Sequence, residues 1–113
     1  MTQELQDSCP AAFRGGWIFF VPDADPAKHR AVIDTGKYVA TIVCVKDSDQ
    51  AVDVSKALVQ DDGVRSISLC PAFSHEDVAR VAAAVKGTPI NICRSDAAGF
   101  MKEFQEIKKA GWF

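Results

Sequence analysis

The sequence predicts a small α/β domain: a four-stranded parallel sheet in a three-layer α/β/α arrangement, with the flavodoxin-like strand order 2-1-3-4. Three observations predict it. Four short apolar runs rich in Val, Ile and Phe each lead into a segment with helical features. Each of those segments opens near an Asp or Ser in a capping position. Strand-then-helix units in succession return by right-handed crossovers, which makes the strands parallel, and continuous apolar runs call for helices on both faces. A half-barrel of four βα units, completed by dimerisation, is the alternative.

Residues 1–14 show no period and read as a loose leader; residues 15–113 hold the single domain. Gly15-Gly16 introduces the first strand, Trp17 to Val21, which Pro22 ends. Asp25-Pro26 predicts a helix to about Asp34, because Asp accepts free backbone N–H groups and Pro at the first helical position loses nothing. Gly36 is placed to close that helix. The second strand is Tyr38 to Val45, rich in β-branched residues. Asp47-Ser48-Asp49 caps a helix to about Asp61, with Ala51, Val54 and Leu58 on its buried stripe, and Asp62-Gly63 stops it.

The third strand is Arg65 to Cys70. Ser74, with Asp77 three residues on, forms a near capping box for a helix whose Val78, Val81, Ala82 and Val85 share one face. Gly87 ends it. The fourth strand is Pro89 to Arg94. Asp96 caps a last helix with Phe100, Met101, Phe104 and Ile107 on one face. The chain finishes in Gly111-Trp112-Phe113.

Composition bounds the function. The 113 residues include 13 basic and 15 acidic side chains, a net charge of −2, which excludes a strongly basic nucleic-acid binder and a disordered polyelectrolyte. The longest apolar run, Tyr38 to Val45, is too short to cross a bilayer. The start, MTQELQDSCP, carries acids where a secretory signal needs a basic region, so the expected compartment is the cytoplasm. Cys9, Cys44, Cys70 and Cys93 form no C-x-x-C pair and match no zinc spacing; reduced thiols are expected, and no metal. The absence of G-x-G-x-x-G and Walker patterns argues against a nucleotide cofactor, and none is expected.

In an open parallel sheet, ligands bind beyond the carboxyl ends of the strands, where the winding reverses. With order 2-1-3-4 the crevice lies between the first and third strands. Asp23, His29, Lys46, Phe73, Ser74 and Arg94 fall at that rim as candidate ligand-binding residues. Arg94 is the best carboxylate anchor, since a guanidinium binds one in bidentate fashion. Phe73 is the candidate apolar wall. Cys70 and His75 are the candidate catalytic pair. A helix N-terminus stabilises a thiolate, and a first-turn His is placed to carry a proton. The plainer reading is a packing cysteine and a solvated histidine. Asp23 and Asp25 after the first strand invite comparison with a response-regulator receiver, but Cys70 stands where a receiver needs Asp, and that likeness fails.

The segment VPDADPAKHRAVIDT, then VKD, then LCPAFSHEDVARVAAAV, resembles a family of short prokaryotic α/β proteins described only as a domain of unknown function. Asp25, Pro26, His29, Arg30, Lys46, Asp47, Cys70, Phe73, His75 and Ala79 carry the likeness, which spans about Gly16 to Asp96. The resemblance implies a compact α/β domain and no established activity. The expected function is binding of a small polar or carboxylate ligand at the sheet's carboxyl edge. One alternative is a Cys/His-dependent enzyme on a small carbonyl substrate; another is an assembly module without ligand. The aromatic tail favours a homo-oligomer, a dimer first.

Overall fold

Gly15 and Gly16 lie in the central strand of a sheet. The computed structural model describes residues 11–113. Strand β1 (Phe13–Phe20) pairs in parallel with β3 (Tyr38–Val45) on one side and β4 (Ser66–Leu69) on the other. Strand β5 (Ile90–Ile92) pairs in parallel with β4. These four strands stand in the order β3-β1-β4-β5, as predicted for the second, first, third and fourth. β1 also takes in Phe13 and Arg14, which the sequence placed in the leader; the rest of that leader, residues 1–10, lies outside the described residues.

The segment 26–34 corrects the prediction of a purely parallel four-stranded sheet. Asp25 does cap a turn: its Oδ1 accepts the Ala27 N–H at 3.0 Å, and its carbonyl accepts from Lys28 and His29. The turn then stops, and β2 (Arg30–Asp34) runs antiparallel along β3, making a five-stranded mixed sheet. Val32 and Ile33 favour extended backbone, and pairing satisfies an edge of β3 that would otherwise be open. Gly36 supplies its left-handed residue (φ +94°) to the hairpin turn and not to a helix end. Asp34 Oδ1 accepts the Gly36 N–H there at 2.8 Å.

Helix α1 (Ser48–Gln60) and helix α2 (His75–Ala84) cover one face of the sheet. Ile18, Val43, Val45, Ile67 and Leu69 of the sheet, Ala51 and Leu58 of α1, Val81 of α2 and Phe73 form the core. A Cβ on Gly16 would stand 3.0 Å from Leu58 Cδ1, so the glycine lets α1 lie close on β1. Arg80 of α2 ties the helices together, donating to Ser48 Oγ at 2.8 Å and Asp49 Oδ1 at 2.6 Å.

The other face corrects the three-layer expectation. Helix α3 (Ala97–Lys109) stands near the carboxyl end of the strands and has no buried residue. Along β1, buried Ile18 on the helix-covered side alternates with half-buried Trp17 and exposed Phe19 on the other. Among the described residues, no helix is long and apolar enough to cross a membrane.

Candidate functional site

Four parallel strands deliver their following loops to one edge. The chain leaves β1 for β3 on one side and later returns to β4 on the other, so the winding reverses at β1. β2 starts from the same edge, where the His29 carbonyl accepts the Cys44 N–H at 2.9 Å. Arg94 Nη1 donates to the Pro71 carbonyl at 2.9 Å, which sets the guanidinium beside the loop that follows Cys70.

A cleft of about 710 Å³ opens at this edge. The sheet contributes Phe19, Cys44 and Cys70; the loop after β4 contributes Pro71 and Ala72. The outer wall is α3 and the tail, with Phe100, Phe104, Ile107, Trp112 and Phe113. Phe104 stacks on Phe113 with ring centroids 5.0 Å apart, and Phe100 lies 5.9 Å from Phe104. Among the described residues, Glu103 is the one charged residue in the lining. A second depression, of about 550 Å³, lies at the opposite edge around Phe13, Arg65 and Pro89. The carboxyl-edge cleft is the better candidate, because it coincides with the winding reversal and holds the thiols.

Register explains the thiols. Phe19 pairs with Cys44, and the Ile18–Leu69 and Leu69–Ile92 pairs put Cys70 and Cys93 in the same cross-strand row. Cys44, Phe19, Cys70 and Cys93 therefore cross the sheet together, on the face away from α1 and α2. The three described cysteines are free. Burial pushes the Cys44 thiol above its ordinary pKa, and the nearby Cys70 adds to the rise. The Phe20 N–H donates to Cys70 Sγ at 3.4 Å.

The other candidates are placed differently. His75 is exposed in the first turn of α2, outside the cleft lining, and among the described residues no hydrogen bond joins it to Cys70. Phe73 is fully buried and stacks on Phe20 at 3.9 Å, so it belongs to the core. Ser74 caps α2: its hydroxyl accepts the Asp77 N–H, and its N–H donates to Asp77 Oδ2. Burial works to raise the Asp77 pKa. Hydrogen bonds from Ser74 and Ser48 and the charge of Arg80 outweigh it and hold the carboxyl below the ordinary value. His29 is exposed, with Nδ1 accepting the Asp25 N–H at 2.8 Å, which leaves the proton of the neutral ring on Nε2. Asp23 and Lys46 are exposed at the same rim.

The last helix and the aromatic tail were expected from the sequence, but not as a wall of the site. The wall's signal was present: Phe100, Phe104 and Ile107 form an apolar stripe with no further strand after it to cover. Among the described residues, no three His, Cys, Asp or Glu side chains are grouped to hold a metal ion.

One comparison with known proteins finds a match. The model of DUF6506, described as a family of unknown function, covers residues 11–107. No curated protein and no solved structure matches the chain.

Proposed function

The chain belongs to the DUF6506 family, and we propose that it is a ligand-binding domain whose site is the cleft at the carboxyl edge of the sheet. The ligand is a small molecule with a flat apolar body and one polar or carboxylate end. The observation that carries this reading is the cleft lining: five apolar residues from α3 and the tail face Phe19 and two thiols across about 710 Å³. Arg94, held beside Pro71, has further N–H donors for a carboxylate at the rim. Asp23, His29 and Lys46 supply the remaining polar groups of that edge. The free thiols support a reducing, cytoplasmic setting.

A fluorescence titration with the aromatic sulfonate ANS tests the reading. Saturable binding is expected, weakened about tenfold by Phe104→Ser and less by Arg94→Ala. Unsaturable binding, or binding unchanged by both substitutions, contradicts it.

The second reading is an enzyme in which Cys70 attacks a small carbonyl substrate. The thiol's place in the cleft and the Phe20 N–H at its sulfur favour it. His75 stands apart as proton carrier. Cys70→Ser separates the two: ligand affinity survives under the first reading, and turnover is abolished under the second.

A further inference from the structure

We propose that the sheet face opposite α1 and α2 is the interface of a homodimer, in which α3 and the tail of each copy cover the other copy's sheet. The proposal shares Phe100, Phe104 and Phe113 with the cleft wall but requires no ligand there.

The strand register defines the face. Phe13, Gly15, Trp17 and Phe19 of β1 lie beside Tyr38, Ala40, Ile42 and Cys44 of β3. Ser66 and Ser68 of β4 and Ala31 and Ile33 of β2 complete it. No position in this set carries a charge. A sheet face that works in water alternates with charged or strongly polar side chains, and parallel sheets are almost always covered on both faces. Here Phe13 is 51% exposed and Ile33 56%. At the same end, Tyr38 stacks on Phe13 and accepts the Trp17 Nε1–H at 2.9 Å, forming a flat aromatic platform. Tyr38 lies directly over Gly15, where any Cβ would strike its ring.

The chain also holds a cover in search of a surface. α3 is amphipathic, with Phe100 47%, Phe104 40% and Met101 66% exposed, and Phe113 of the tail 73% exposed. A thirteen-residue helix is marginal without packing. The copy's own α3 stands at the carboxyl end of the strands and leaves the Phe13–Tyr38–Trp17 platform, at their amino end, uncovered.

Area and symmetry select a second copy as the occupant. Whole aromatic side chains bury some 200 Å² each, so the exposed fractions of these residues amount to roughly 700 Å², close to the ~800 Å² each partner gives in a standard interface. Each copy presents both the platform and the helix. A two-fold axis lying in the interface, parallel to the sheets and perpendicular to their strands, sets the platform of one copy against α3 of the other, twice, and the contact closes on itself.

Sedimentation equilibrium on the full chain tests this, with Phe13→Glu and Ile33→Glu as separate variants. Neither residue lines the cleft and both are exposed, so folding, checked by circular dichroism, is expected to survive. The unaltered chain is expected to sediment at twice the monomer mass at about 20 µM, and each charge to weaken the dimer at least about 100-fold. A monomer at that concentration overturns the proposal, as does a dimer that both folded variants leave intact. ANS binding that persists in a monomeric chain would leave the cleft reading standing while the dimer falls.

Discussion

Ile18 and Trp17 are neighbours in β1 and point in opposite directions. Ile18 is sealed beneath α1 and α2 with Val43, Leu69 and Phe73. Trp17 looks out over a face that holds aromatic rings, thiols and hydroxyls and no charge, and that among the described residues is approached only by α3 and the tail, at its carboxyl end. The first side is finished within one chain, and its residues are explained by packing. The second is apolar and, among the described residues, walled only at its carboxyl end, and water alone gives no reason for its composition. The difference separates what holds the fold from what is available for binding.

The largest expected effect lies on the sealed side. Phe73→Ala removes a fully buried ring and is expected to cost about 3–5 kcal/mol in urea unfolding. Phe19→Ala, on the open side, is expected to cost less than about 1 kcal/mol in the monomer while weakening ANS binding. Equal losses from the two would break the comparison.

A middling effect is expected at the start of α2. Ser74→Ala removes the capping hydroxyl and is expected to cost about 1 kcal/mol. It also has a pH signature. The Asp77 carboxyl is more acidic folded than unfolded, so its charged form stabilises the fold at neutral pH. That contribution is lost as pH falls below the ordinary 3.8 and through the lower folded value. The urea midpoint of Ser74→Ala should therefore fall less steeply in acid than that of the unaltered chain. Parallel acid limbs would remove Asp77 from the account.

The smallest effect sharpens the map of the open face. Iodoacetamide labelling, followed by mass spectrometry, is expected to modify Cys93 first and Cys44 last of the three described cysteines. Cys93 is exposed, whereas Cys44 is half-buried and burial and the nearby Cys70 raise its thiol pKa. Rapid labelling of Cys44 would contradict its place in the row.

The parallel order was legible because its signals are local: Asp47, Ser74 and Asp96 do cap helices, and the apolar runs do form strands. Arg30–Asp34 was not. The Asp25-Pro26 signal is genuine but is spent within one turn, and the choice between helix and hairpin depends on a distant β3 edge. Phe73 was misread because it follows Cys70 closely; the turn that brings its N–H to the Cys70 carbonyl at 3.2 Å tucks the ring inward instead. The bare face was hidden for a related reason. Trp17-Ile18-Phe19-Phe20 reads as a strand covered on both sides, whichever molecule provides the second cover.

Acrylamide quenching of Trp17, in a Trp112→Phe chain where it is the sole indole, addresses the open face directly. As protein concentration rises through the dimer range, Trp17 should become steadily harder to quench. Quenching that stays constant across that range, in a chain that remains folded, would mean that the uncharged face stays in water.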